Sequence, residues 1–291
     1  PPRRWAPCPK CVAYGGHMTR ILLVRHGRTT ANASGILAGR SDVELDADGL
    51  LQAQDLGYRL AGVPLTVAVS SPMLRTRQTA EAILRGRSVD LEIEPDLAEC
   101  DYGDWTGKPL AELAKDPLWT TVQRQPSAVV FPGGESLPES SARAVAAVRR
   151  IGRDAKQRAE VAARTAQEKA RRKAEEKAAR KAARAGSVKA DAKAVRKVAR
   201  KAGDKAADKA AVSASPPNVL LVSHGDIIKA ILADALGMHL DAFQRIVVDP
   251  GSLSVIRYTT HQVFVERMND VGGSLDVLRS AGGDEAVPAV R

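Results

Sequence analysis

The sequence predicts an α/β fold: a three-layer αβα arrangement around a mostly parallel sheet with an antiparallel edge, carrying a basic helical insertion. Three observations predict it. The runs Ile21-Leu22-Leu23-Val24 and Val219-Leu220-Leu221-Val222 are short, aliphatic and uninterrupted, the signature of strands buried on both faces. Helical stretches separate successive runs, as in βαβ units. Between Arg149 and Pro216 the texture changes to Ala, Lys, Arg and Glu, as in Glu168-Lys169-Ala170-Arg171-Arg172-Lys173, which can form a helix but not a core.

In chain order, Ile21–Val24 reads as the first strand and Asp48–Ala61 as a helix with Leu50, Leu51, Leu56 and Leu60 among its apolar positions. Leu65–Val69 is the second strand, Pro72–Arg85 the second helix and Leu91–Ile93 a short strand. A helical region over Pro109–Arg124 is broken at Pro117, because proline lacks the N–H that a continuing helix needs. Gly133-Gly134-Glu135-Ser136 is a turn opening a long helix. Val219–Val222 is a buried strand, Asp226–Leu236 a helix, and Ser252–Arg257 with Val263–Glu266 a closing strand pair. That pair supplies the antiparallel edge and offers an edge for pairing with a second copy, a homodimer.

The 291 residues carry a formal net charge of +10. That charge is concentrated in one segment: Arg149–Lys209 holds 22 Lys and Arg against 8 Asp and Glu, leaving 22 basic and 26 acidic residues elsewhere. Any affinity for polyanions therefore belongs to the insertion, not to the globular body. Within it, Glu168/Arg172 and Glu176/Arg180 are spaced to reinforce a helix, with interruptions expected near Gly186 and Gly203. The organisation read from this is an extension at 1–17, a catalytic domain at 18–267 interrupted by 153–212, and a tail at 268–291. Residues 1–17 read as disordered, with Met18 a candidate start.

Three cysteines, Cys8, Cys11 and Cys100, are too few for a disulfide framework and suit a reducing, cytoplasmic setting. Cys8-Pro9-Lys10-Cys11 is half of a zinc-ribbon pattern without its second half, so no metal is expected. No apolar run approaches the roughly 20 residues of a membrane span.

The chemistry concentrates at strand ends. Arg25-His26-Gly27 follows the first strand, with Asn32 a few residues on; Ser223-His224-Gly225-Asp226 follows the late strand. Arg75 lies just after the second strand, in Ser70-Ser71-Pro72-Met73-Leu74-Arg75, and Glu99 in Leu97-Ala98-Glu99-Cys100-Asp101-Tyr102-Gly103. Open α/β sheets place ligands at the carboxyl edge, where these residues would meet. Two arginines and a histidine around a second histidine form a cationic, forked pocket suited to a dianionic phosphoryl group. The same cations favour a neutral imidazole at His26, the form able to attack phosphorus. Asp101 and Asp104 stand as alternatives to Glu99 for the acid, and Asp101 is placed to raise the Glu99 pKa. Arg40 and Asp42 read either as substrate contacts or as loop caps, Gly134–Ser136 as a helix start, and His239 and His261 as ordinary residues.

These motifs, in this order, resemble the histidine phosphatase superfamily, also called the phosphoglycerate mutase-like family, from about Thr19 to Arg267 without the insertion. The resemblance implies that His26 is the nucleophile forming a phosphohistidine and that Arg25, Arg75 and His224 bind the phosphoryl oxygens with help from Asn32. It implies that Glu99 protonates the leaving oxygen and then activates water, without cofactor or metal. Gly103-Asp104-Trp105-Thr106-Gly107 is similar to the phosphatase branch. Asp116-Pro117-Leu118-Trp119 and Asp234–Leu240 resemble an actinobacterial subgroup named for phosphomutase activity. Hydrolysis of a small phosphorylated substrate is the expected reaction and phosphomutase the alternative. A phosphatase tethered to nucleic acid or another polyanion by the insertion is the second alternative; the insertion lacks aromatic residues for base stacking.

Overall fold

In the computed structural model, residues 19–184, 197, 199–206 and 216–272 are described. The expectations for 1–17, for Gly186 and for most of the C-terminal tail lie outside them. The chain divides into two units, one comprising mainly residues up to Ala155 and from Pro217 onward, the other Lys156–Pro216.

The first unit is built on β1 (Thr19–Arg25), β2 (Val67–Ser70), β3 (Leu91–Ile93), β4 (Asn218–Ser223), β5 (Leu253–Tyr258) and β6 (Val263–Asp270). Their order is β3-β2-β4-β1-β5-β6. The β3/β2, β2/β4 and β4/β1 pairs are parallel, while β1/β5 and β5/β6 are antiparallel. The expected sheet is therefore present, with β6 running to Asp270, beyond the expected Glu266.

Alternation along the strands divides the core between the two faces. Ile21, Leu23, Val219 and Leu221 join one apolar cluster; Leu22, Val24, Leu220 and Val222 join the other. All eight side chains have zero exposure, as the uninterrupted aliphatic runs require. Each is worth roughly 1.5–3 kcal/mol when fully buried. Helices α1 (Thr30–Ala33), α2 (Ala47–Arg59) and α3 (Leu74–Leu84) follow β1 and β2. Leu56 and Leu60 of the α2 region and Ala80 and Ile83 of α3 close the second cluster. The first cluster takes Leu113 of α4 (Leu110–Leu113), Val122 of α5 (Pro117–Arg124), Val148 and Ile151 of α6 (Leu137–Arg184), and Ile227 and Ile231 of α7 (Gly225–Ala235). Pro117 opens α5, with Asp116 capping it through Leu118 N, so the helical region breaks where expected.

Gly27 ends β1 for a reason of packing. A Cβ there would lie 2.3 Å from the Gly49 carbonyl oxygen, and one on Gly49 would lie 2.0 Å from that of Arg28. Two glycines face each other so that the N-terminal turn of α2 can press against the loop after β1. The Gly27 N–H donates to Thr79 Oγ1 of α3 at 3.1 Å.

In the second unit, the part of α6 from Lys156 onward is lined with i,i+4 ion pairs, among them Arg171–Glu175 at 2.9 Å and the expected Glu176–Arg180 at 2.5 Å. Such exposed pairs contribute only a few tenths of a kcal/mol each. Gly203 does not interrupt the helical stretch at 199–206. A Cβ there would meet Glu175 Cγ at 2.8 Å, so glycine permits close approach to the α6 side chains instead of ending a helix.

Candidate active site

The β1/β4 register pairs Arg25 with Ser223, so the next residues, His26 and His224, emerge together at the carboxyl edge. The His26 N–H donates to Ser223 O at 3.0 Å, and the two imidazole centroids stand 5.4 Å apart. Parallel β2 ends beside them, bringing Ser71 and then Arg75 of α3 to the same edge.

Hydrogen bonding settles the imidazole tautomers. His26 Nδ1 lies 2.8 Å from the Gly27 carbonyl oxygen, an acceptor only, so Nδ1 carries the proton and Nε2 the lone pair. Arg75 Nη2 donates to His224 Nδ1 at 3.1 Å, leaving His224 Nε2–H to donate to Ser71 Oγ at 2.7 Å. Burial holds both histidines well below the usual imidazole pKa, reinforced at His26 by Arg75 and Arg25, so both rings are neutral.

Arg75 is 2 % exposed. Its Nη1 and Nη2 donate to the carbonyls of Ser41 and Gly39 at 2.8 and 2.6 Å, which wraps the 39–42 loop around it. Arg25 Nη1 donates to Val248 O at 2.5 Å. The Nε atoms of both arginines are buried and unpartnered. Buried N–H groups of this kind are uncommon and call for an acceptor. Asn32 Oδ1 accepts from Thr29 N and Oγ1 within a capping box of α1, so the amide's remaining donor is Nδ2.

Arg25, His26, Asn32, Arg75 and Glu99 line one cavity of about 430 Å³. His224 lies behind it, touching Arg75 and Ser71. Of the three acidic candidates, Glu99 faces the cavity, whereas Asp101 and Asp104 are absent from its wall. Glu99 is 8 % exposed, and burial raises its pKa to about 7. The like charge responsible for part of the rise is Asp226, which corrects the expectation for Asp101; Asp101 is instead paired with Arg40 at 3.3 Å. Arg75, Arg25 and the Cys100 N–H, 3.0 Å from Glu99 Oε1, act in the opposite direction.

Three residues outside the expected site set support Glu99. Arg143 of α6 donates to the carbonyls of Asp96, Ala98 and Glu99 at 2.7, 2.7 and 3.0 Å, fixing the backbone that carries the carboxyl group. Glu135 ties Arg143 to Arg40, at 2.6 and 3.1 Å, and Arg40 Nε also donates to Glu99 O at 3.1 Å. Arg40 thus holds the acid's loop, while Asp42 Oδ1 accepts from Leu74 N, capping α3. Ser136 forms a capping box with Glu139 at the start of α6. The third support is Asp226 on the cavity wall, which accepts from Tyr102 OH at 2.8 Å and from Lys229 Nζ at 3.3 Å.

An Asp226→Asn variant removes the like charge beside Glu99 but retains the bond with Tyr102. Its expected effect is a lower Glu99 pKa, read by titrating the side-chain carboxyl carbon by NMR. An unchanged titration midpoint would mean that Asp226 does not set this ionisation. The same substitution removes the ion-pair partner of Lys229 Nζ, 3.3 Å away, which acts on Glu99 in the same direction.

A neutral imidazole, two arginines with unfilled donors and a carboxyl group with a pKa of about 7 thus meet in one cavity, a set of groups able to hold a phosphoryl dianion. The model of the histidine phosphatase superfamily, branch 1, matches residues 21–165 and 159–271. The chain belongs to that superfamily.

A 2,3-bisphosphoglycerate-dependent phosphoglycerate mutase from Rhizobium etli is 38% identical over 134 residues, covering 43% of this chain and 64% of the mutase. An adenosylcobalamin/alpha-ribazole phosphatase from Escherichia coli is 38% identical over 86 residues, 30% of this chain and 42% of that one. The matches thus span less than two thirds of these relatives. The solved structure of the alpha-ribazole phosphatase from Shigella flexneri shares the fold, with a TM-score of 0.61 and 21% identity over 87% of this chain and 96% of that chain. Among the described residues, no helix is long and apolar enough to cross a membrane.

Proposed function

We propose that the protein hydrolyses a small phosphomonoester through a phosphohistidine on His26. The observation that carries the proposal is the pair of buried, unpartnered arginine Nε donors beside a neutral His26 whose lone pair is on Nε2. Nε2 attacks phosphorus as the bond to the ester oxygen breaks, and Glu99 gives its proton to that oxygen. The ionised Glu99 then takes a proton from water while the water oxygen attacks phosphorus and the P–N bond breaks. This restores neutral His26 and protonated Glu99 and releases inorganic phosphate. Arg25 and Arg75 neutralise the phosphoryl oxygens in both steps, with Asn32 Nδ2 beside them; His224, expected to bind the phosphoryl group, has both ring nitrogens engaged by Arg75 and Ser71 and instead positions Arg75 from behind the cavity wall.

Hydrolysis is favoured over phosphomutase activity by the charge of the cavity wall. Its cations are Arg25 and Arg75 beside His26, and Lys229, whose ammonium is already paired with Asp226. A mutase has to hold a bisphosphate. Assay of the purified protein with 4-nitrophenyl phosphate, and separately with 3-phosphoglycerate plus its bisphosphate, separates the two. Hydrolysis without mutase turnover is expected; mutase turnover with negligible hydrolysis would reverse the assignment and place this chain with the phosphomutase subgroup its sequence resembles.

We also propose that the insertion at 153–212 is a separate polyanion-binding arm on a cytoplasmic enzyme. Its excess of Lys and Arg supports nonspecific electrostatic binding, which salt weakens by displacing the gain from counterion release. Binding to a nucleic acid duplex should fall steeply with salt and disappear on deleting 153–212, while phosphatase activity survives. Duplex binding that persists in the deletion variant would refute the arm's role.

A further inference from the structure

Beyond the phosphoryl end, the cavity has a wall of a different chemistry. Leu37, Leu110, Val122 and Trp119 line it, with Trp105 and Phe131 behind and beside them. The Trp105 and Trp119 rings are stacked with centroids 6.1 Å apart at 29°, and Phe131 meets Trp105 edge-on at 5.3 Å. This ring stack is set in the first apolar cluster, so Trp119 presents a braced face and not a loose side chain. Lys229 and Gln244 line another part of the wall, and Lys229 Nζ donates to Gln244 Oε1 at 3.0 Å. With its oxygen so engaged, Gln244 keeps its NH₂ for an acceptor.

A volume of about 430 Å³ falls within the range of pockets that enclose drug-sized ligands and exceeds the needs of a phosphoryl group. A glycerate or short polyol would leave the aromatic shelf in contact with water. We infer that the alcohol carried by the substrate bears a flat aromatic ring, packed on Trp119 and Leu110, with hydrogen-bond acceptors turned toward Gln244 and Lys229. This deepens the phosphomonoesterase reading and rests on it for the position of the phosphate.

The test compares 2-phenylethyl phosphate with n-propyl phosphate and 3-phosphoglycerate, all alkyl esters, so that an activated leaving group does not mimic a binding preference. Burial of the ring is expected to favour the phenylethyl ester by about tenfold or more in kcat/KM, expressed mainly in KM. Trp119→Ala should collapse that ratio, Trp119→Phe should largely retain it, and inhibition by inorganic phosphate reports that the phosphoryl end is intact. If Trp119→Ala does not fold, Leu110→Ala addresses the same wall from a half-exposed position. Equal kcat/KM for the phenylethyl and propyl esters, or a preference that survives both alanine variants, overturns the aromatic subsite. Calorimetric binding of the two esters to the full-length His26→Ala variant provides the same comparison without turnover. Tighter binding of the phenylethyl ester supports the subsite even if the proposed hydrolysis fails, and equal affinities refute it.

Discussion

His26→Ala is expected to lose turnover by about 10⁴-fold or more, the scale seen when a covalent nucleophile is removed. The variant should also fail to incorporate acid-labile phosphate from a labelled ester, while wild type quenched in acid-free conditions retains it. The size of the loss follows from the surroundings of the imidazole. The Gly27 carbonyl fixes the Nδ1 proton, burial and two guanidinium groups keep the ring neutral, and Nε2 keeps the lone pair that the proposed attack requires. No other described side chain duplicates these conditions. His224 is also neutral and buried, but its Nδ1 accepts from Arg75 and its Nε2–H is directed to Ser71. It therefore cannot substitute without breaking both bonds. A His26→Ala variant that kept even a tenth of the activity would exclude the phosphohistidine route.

The strand ends were readable because two different signals coincide there. Uninterrupted Ile, Leu and Val runs demand burial on both sheet faces, and the polar residues directly after them must then emerge at an edge. That logic locates Arg25, His26 and His224 from local sequence. The support for Glu99 obeys no such rule. Tyr102 and Asp226 are 124 positions apart, and Arg143 sits inside α6, where its neighbours report only helix. Asp226 did have a local clue, since it follows His224-Gly225, but its effect on Glu99 depends on how the 95–105 loop crosses the end of β4. Ser223 Oγ makes part of that crossing by donating to Leu97 O at 2.8 Å. Gly27 shows the same limit: the residue itself is conspicuous, yet its requirement comes from Gly49, which lies in a different element.

Glu99→Gln is expected to slow hydrolysis of alkyl esters by about 10²–10⁴-fold, the usual contribution of a positioned acid and base, and to slow activated aryl esters less. The substitution also changes the pH profile. With a pKa of about 7, wild-type Glu99 loses its proton above neutrality and can no longer protonate an alkoxide, so the alkyl-ester rate falls as pH rises through 7. The glutamine variant should lack that limb. The substitution acts on stability in the sense opposite to its effect on activity. The ordinary carboxyl pKa of 4.5 is raised in the folded chain, so the native state binds the proton more tightly than the unfolded state. Wild-type stability therefore declines between pH 4.5 and 7 and is lowest, as far as this group is concerned, above 7. The full rise corresponds to about 3 kcal/mol, and a neutral amide of the same shape escapes it. At pH 8, Glu99→Gln should thus unfold at higher denaturant concentration than wild type, and at pH 4 the two should be nearly equal. A variant that is slower but no more stable at pH 8 would show that Glu99 is ionised in the free enzyme at neutrality, and its service as an acid would then have to begin only once a phosphoryl dianion raises its pKa.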